Sequence, residues 1–415
     1  MNLILASGDF PDIFWAQTPP VAEIIKNPDL FLKMDEYIDK GYTPNISFMF
    51  ADDPVTKVWC TLSDGHIYGL PIKAPLRPQT LDQGFINSDW LERLNLDMPV
   101  TTDDFYKTLQ KFKTQDPNEN NVADEVPYSG LPWGIHSMMG VGNFLPAFGV
   151  NLNYDWIFVE MNNGKVRPVA TRPEYKEAIQ WLRKLYAEEL IDQEYFTNGW
   201  ENYVGKIRDP KGTKVGTGFG WTIEDVCGKE RLDEYVELPP LVGPRGDQVW
   251  RSSAVVAKAG ANRLVVNAEV AYPAATMRFL DMFYDMEVTM QLVYGSFGKT
   301  LKKNSDGTIE FLPTPEGYTD GEWKWKNALD QLGSPGFTNA AFEGKIRKGA
   351  GNEAWGKWES DERYSKYYDQ SSSFPWVSYW DPAIQDEKGL IEADINKYIE
   401  ESFAKWIAEG GIEEE

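Results

Sequence analysis

Cysteine and histidine are nearly absent from this 415-residue sequence, which holds two of each. Cys60 and Cys227 lie far apart, in no CxxC and no metal-ligand spacing, and leave two readings open: one long-range disulfide, or two buried free thiols. His66 and His136 give a histidine-based metal site or a Ser-His-Asp triad almost no material. No run of 18 apolar residues occurs, so no helical membrane span is expected. No basic stretch followed by an apolar one marks a signal peptide in the sequence as it stands. Gly-x-Gly-x-x-Gly, a phosphate loop and Gly-x-Ser-x-Gly are also missing. Cations are in deficit: 41 Lys and Arg against 64 Asp and Glu give a net charge of -23, which repels phosphate backbones and argues against nucleic acid as a partner. With so many acids, pairs about 5–9.5 Å apart for glycoside hydrolysis could be proposed freely, yet local context marks out none. The lack of a defined catalytic set favours binding over catalysis.

Aromatic residues, in contrast, are plentiful. There are 16 Trp, 20 Tyr and 21 Phe, 14% of the chain. Trp133, Trp200, Trp250, Trp355, Trp376 and Trp380 fall in polar, loop-like surroundings. An indole offers a flat apolar face and one N–H donor, which suits stacking on the C–H face of a sugar ring. Most of the tryptophans are expected to pack in the core or at its boundary, and the remainder to line a ligand cleft.

Periodicity implies an α/β architecture, with strands alternating with helices. Residues 3–15 read as a helix end, a turn at Gly8 and a short buried strand. Residues 66–72, 80–87, 214–221 and 251–258 read as further strands. Thr101 to Lys113 reads as a helix capped by Thr101 or Thr102, with Phe105, Leu109 and Phe112 on one face. Thr171 to Leu190 reads as another, with Pro173 in its first turn and an apolar stripe at Ala178, Trp181, Leu182 and Leu185. Residues 268–294 read as one long apolar helical stretch ended by Gly295. Beyond residue 300 loops and short helices are expected, with a polar helix over 391–406.

The sharpest local signal runs from Asp116 to Pro127. Asp116, Asn118 and Asn120 stand at alternate positions, Val122 offers a carbonyl, and Asp124 and Glu125 follow. Calcium takes six to eight oxygens at 2.3–2.6 Å, and such a loop can gather them. Asn121 replaces the usual glycine, as a residue that tolerates left-handed backbone. Pro127 stands where an EF-hand has glutamate, so Glu125 would supply the bidentate carboxylate. A polar turn without an ion remains the alternative, because Asp, Asn and Pro favour turns in any case.

Taken in order, the segments Ala6-Ser7-Gly8-Asp9-Phe10-Pro11-Asp12-Ile13-Phe14-Trp15, Asp64-Gly65-His66-Ile67-Tyr68-Gly69-Leu70-Pro71, Ile86-Asn87-Ser88-Asp89-Trp90 and Met98-Pro99-Val100-Thr101-Thr102-Asp103-Asp104-Phe105 resemble extracellular solute-binding proteins of carbohydrate ABC transporters. The first resembles the Ser/Thr-Gly-Asp-x-Pro-Asp-Ile signature of the maltose-binding type, and the order is similar to the lipoprotein oligosaccharide-binding branch that includes alginate-binding proteins. The likeness runs to Tyr294-Gly295 and thins out afterwards.

The resemblance implies a periplasmic-binding-protein-like α/β fold: two lobes joined by hinge crossings, with a ligand cleft between them. Residues 1–80 plus 255–330 would form the N-lobe, and 81–254 plus 331–415 the second lobe with the C-terminal helices. It implies a sugar or oligosaccharide as ligand, permease subunits of an importer as partners, a monomer, no enzymatic activity, and a lipid-anchored extracellular protein of a Gram-positive bacterium. Relatives carry a signal, a lipid-bearing cysteine and a first strand-helix-strand before the Ser7-Gly8-Asp9 segment; Met1 falls within that first helix, so the first N-lobe strand is expected to be missing. It also implies a structural calcium ion held by Asp116, Asn118, Asn120, Val122 through its carbonyl, Asp124 and Glu125. Ligand contacts are expected from Asp9, Trp15, Arg77, Trp133, Trp221, Trp250, Trp376 and Tyr379, with Trp221 foremost and packing the alternative for each. Two other readings stand beside this one: a secreted, calcium-stabilised glycoside hydrolase or lyase, and a receptor for a non-sugar ligand.

Overall fold

The computed structural model describes residues 4, 7–73, 75–76, 78–132, 139–151, 159–162, 164–252, 259–329, 334–349, 351, 353–369, 371 and 382–413. Its strands in chain order are β1 (Ile13–Trp15), β2 (Gly69–Lys73), β3 (Gln83–Asn87), β4 (Val126–Tyr128), β5 (Val159–Asn162), β6 (Lys165–Pro168), β7 (Val215–Gly220), β8 (Tyr235–Glu237), β9 (Ala259–Val266), β10 (Leu301–Lys303), β11 (Ile309–Phe311) and β12 (Gly336–Phe337). The chain divides into two units, residues 1–77, 255–355 and 375–391 forming the first and residues 78–254, 356–374 and 392–415 the second. The chain first leaves the first unit after residue 77 and returns to it at residue 255. Residues 331–355 and 375–391 group with the first unit; in the former, β12 pairs in parallel with β2 and so joins the first unit's sheet.

That sheet has the order β1-β9-β2-β12. Pro71 sits inside β2, and the pairing with β9 shifts register between Leu70 and Ile72. A proline has no N–H to give the ladder, so a break in register is the expected consequence. Leu70, Leu264 and Val266 pack with Ile46, Met49, Met277, Leu280 and Tyr284 to form the core. The apolar stretch over 268–294 is not one helix: Pro273–Asp281 and Met286–Tyr294 are separate helices with a tight turn between them. Asp285 causes the break, since its side chain accepts from the N–H groups of Glu287 and Val288 and so starts a new helix. The sequence reading also missed the β10–β11 hairpin, although Asp306-Gly307 is a hairpin signal and Gly307 has φ +81°. The C-terminal helix starts earlier than expected and spans Pro382–Ala408.

The second unit's sheet has the order β4-β7-β3-β8. The helix Thr102–Thr114 opens with a capping box between Thr101 and Asp104. Its buried stripe of Phe105, Leu109 and Phe112 packs on the sheet side, each residue contributing about 1.5–3 kcal/mol on burial. β7 has glycine at every second position, which places Gly216, Gly218 and Gly220 on one face. A Cβ on Gly216 would lie 2.4 Å from the Phe112 ring; one on Gly220 would lie 2.4 Å from Val226. On Gly218 a Cβ would come within 2.7 Å of Phe85 and closer still to the Tyr203 hydroxyl. The small residues let side chains from three helices and from β3 close on a central strand. Gly218→Val is therefore expected to lower stability by about 1–3 kcal/mol, read as an earlier urea midpoint. An unchanged midpoint would show that the space is not needed.

Cys60 lies in the first unit and Cys227 in the second, both buried and both free, which settles the disulfide question. Among the described residues no helix is long and apolar enough to cross a membrane.

Candidate functional site

The loop that leaves the helix Thr102–Thr114 curls tightly, with positive φ at Asp116, Glu119 and Asn121. Asp116 accepts from the N–H of Asn120 at 3.2 Å and of Asn121 at 3.1 Å; Asn120 Oδ1 accepts from the Val122 N–H. Asp124 Oδ1 accepts from the amides of Asn118 and Asn120, and its Oδ2 lies 3.0 Å from Lys214 Nζ. Burial works against charge on Asp124, but the donors Asn120, Lys214 and Asn118 hold its carboxyl below the usual range. Glu125 differs. Burial, and then the charges of Asp116 and Asp124, push its carboxyl up, and its Oε1 is buried with no hydrogen-bond partner among the described residues. A buried carboxylate oxygen without a partner, beside two further carboxylates, is a feature that a hard divalent cation would satisfy. Among the described residues no cluster of three or more His, Cys, Asp or Glu side chains is close enough to hold a metal. A cation in this loop would therefore depend on amide and backbone oxygens as well as carboxylates.

A second constellation lies within the second unit, at residues the sequence did not single out. Asp82 at 1% exposure, Arg251 at 2% and Lys357 at 0% are buried together with Asn143. Asp82 Oδ2 accepts from the Met139 N–H at 3.1 Å and from Asn143 Nδ2 at 2.7 Å, while Arg251 donates to Asn143 Oδ1. Lys357 donates to the carbonyls of Thr80 and Leu81 at 3.2 and 2.5 Å, and its ammonium lies 3.1 Å from the ring centroid of Trp221. Burial pushes the Asp82 carboxyl up, against the pull of Lys357 and Arg251.

No family model matches the chain. The fructooligosaccharide ABC transporter substrate-binding protein FusA of Streptococcus pneumoniae is 30% identical over 434 residues, covering 100% of this chain and 77% of FusA. This chain belongs to the substrate-binding proteins of ABC transporters. Lipoprotein LipO of Bacillus subtilis is 32% identical over 75% of this substrate-binding protein and 60% of LipO. Among solved structures, FusA with kestose superposes at TM-score 0.87 with 28% identity, and an EF-hand mutant of FusA with fructo-nystose at 0.88 with 27%. Each covers 100% of this chain and 84% of FusA. An extracellular solute-binding protein from Bifidobacterium longum subsp. infantis superposes at 0.83 with 25% identity, covering 100% and 83%. The alginate-binding protein AlgQ2, at 20% identity and TM-score 0.73, shares the two-lobed α/β fold.

The residues expected to hold ligand are spread over both units of this substrate-binding protein. Asp9 is exposed, its backbone N–H donated to Ser7 Oγ. Trp15 is half-buried at the end of β1; its ring meets Phe283 edge to face at 4.6 Å, and its N–H is donated to Ser334 Oγ at 3.3 Å. In the second unit, Trp221 is half-buried just beyond β7. Trp250 is only 5% exposed, stacks on Tyr364 at 4.3 Å and donates to Thr80 Oγ1. Its stacking face and its donor are used internally, so it serves packing, the alternative named for it above. Arg77, Trp133, Trp376 and Tyr379 lie outside the described residues.

Proposed function

We propose that this protein binds an oligosaccharide outside the cell and delivers it to the permease subunits of an ABC importer. Identity to FusA along the whole chain carries the reading, and FusA's fructooligosaccharides are the first ligands to try. The protein works without chemistry. A sugar with greater affinity for the closed state than for the open one drives hinge closure, and the permease reads the closed form. Aromatic faces supply the apolar contact, and Asp, Asn and Arg side chains satisfy the hydroxyls, which cannot be buried unpaired. The protein is held at the outer face of a Gram-positive membrane as a lipoprotein and acts as a monomer.

Isothermal titration with kestose, nystose and uronate oligosaccharides, run beside a reducing-end assay, tests this. Binding of at least one sugar in the micromolar range or tighter, about -8 kcal/mol, with no turnover is the expected result. Turnover that falls with an Asp or Glu substitution would sink the receptor reading.

We also infer that the loop from Asp116 to Glu125 holds a structural calcium ion. Asp116, Asn118, Asn120, Asp124, Glu125 and the Val122 carbonyl would be its ligands. The support is the buried, unsatisfied Glu125 oxygen facing the charges of Asp116 and Asp124. The ion would neutralise that repulsion and fix the loop between the helix Thr102–Thr114 and β4.

A further inference from the structure

The chain passes between the two units five times, and three of the crossings lead into the same buried charge cluster within the second unit. Just after residue 77 come Thr80 and Asp82; just before residue 255 come Arg251 and Ser252; just after residue 355 come Lys357 and Asp361. These groups are bonded to one another rather than merely close. Thr80 forms a β-bridge with Ser252, and the N–H groups of Gln79 and Thr80 donate to Asp361 Oδ1 at 3.1 and 2.7 Å. Lys357 joins the first segment through the carbonyls of Thr80 and Leu81. Trp250, next to Arg251, donates its indole N–H to Thr80 Oγ1 at 3.1 Å and its ring stacks on Tyr364.

A buried ion network is an expensive way to hold three segments together, and apolar side chains of similar volume would usually do as well. What an ammonium adds is direction. It is attracted to the face of an aromatic ring and to carbonyl oxygens at once, and so fixes the ring relative to them. Here the ring is Trp221, at the end of β7.

We propose that Lys357 is a positioning residue for oligosaccharide binding: its ammonium sets the plane of the Trp221 indole and ties that ring to the roots of three chain crossings. This rests on the reading that the protein binds an oligosaccharide, and adds that Trp221 touches it. Trp221 is half-buried, and the part of it left accessible is where the sugar would meet it. Without the ammonium, Trp221 keeps its place in sequence but loses its fixed tilt.

The test is a double-mutant cycle in kestose titrations of the full chain. Its corners are the wild type, Lys357→Met, Trp221→Ala and the pair. Asp82→Asn/Lys357→Met is run in parallel, so that losing the ammonium does not leave a carboxylate facing only Arg251. Each single change is expected to weaken binding about tenfold, the size of an ordinary aromatic contact. In the Trp221→Ala background, Lys357→Met should then change affinity less than about twofold, because the ring through which it acts is gone. A purely structural role for Lys357 would lower the melting temperature and leave the two effects on affinity independent. Additive effects, or unweakened binding in Asp82→Asn/Lys357→Met, would overturn the positioning role and leave the receptor reading intact. A wild-type chain that binds neither kestose nor any other sugar of the panel would overturn both.

Discussion

Asp82→Ala is expected to cost about 3–5 kcal/mol of stability, as removal of one partner from a buried ion cluster usually does. The carboxylate is 1% exposed and sits with Lys357 at 0% and Arg251 at 2%. Its removal takes the acceptor from the Met139 N–H and from Asn143 Nδ2, and removes a negative charge that attracts both Lys357 and Arg251. The Met139 N–H and Asn143 amide then pay a desolvation cost of about 1–3 kcal/mol each if nothing replaces the acceptor. Urea unfolding followed by tryptophan emission gives the measurement. Asp82→Asn should fall between wild type and Asp82→Ala, because an amide oxygen still accepts but carries no charge. Lys357→Met in the Asp82→Ala background should cost less than in the wild type, since the attraction between Lys357 and Asp82 is already lost. A loss below about 1 kcal/mol for Asp82→Ala would show that water or neighbouring carbonyls already neutralise the cluster.

Local order was legible because it is written in neighbouring residues. Thr101, Asp104 and the stripe of Phe105, Leu109 and Phe112 specify their helix without help from the rest of the chain. The strand at β7 was found for a similar reason. The break at Asp285 was overlooked because apolar periodicity continues across it; only the capping side chain starts the helix afresh. The charge cluster was out of reach for a different reason. Asp82, Arg251 and Lys357 come from three segments up to about 270 residues apart, and each alone looks like any charged residue of a soluble protein. Tryptophan content pointed to sugar binding but could not tell platform from packing. Trp250 has both a ring neighbour and a hydrogen-bond acceptor inside the unit, whereas Trp221 is half-buried beside a cation.

Chelation of calcium at pH 7 is expected to lower the melting temperature of the second unit by roughly 5–10 °C. At a free concentration about a hundredfold above the dissociation constant, a bound ion contributes about 2.7 kcal/mol, and a unit of this size shifts roughly 2–4 °C per kcal/mol. Acidity should weaken the effect, and the sign follows from Glu125. Its carboxyl is raised in the metal-free fold by burial and by Asp116 and Asp124. The stability that a protonated Glu125 contributes is therefore fully present below its unfolded value near 4.5 and is lost as pH rises through the folded value. Calcium requires the deprotonated form, so its affinity grows over the same interval and binding releases a proton. The difference between calcium and chelator melts should shrink as pH falls toward 4.5 and reach its full size above the folded value. Asp116→Ala should abolish the chelator effect while leaving sugar selectivity unchanged, because the loop links the helix Thr102–Thr114 to β4, and none of the residues expected to touch the sugar lies on these elements. Identical melts with and without chelator at pH 7 would remove the ion from this loop. The buried oxygen of Glu125 would then be satisfied by a proton shared with Asp116, a carboxyl pair that favours acid rather than calcium.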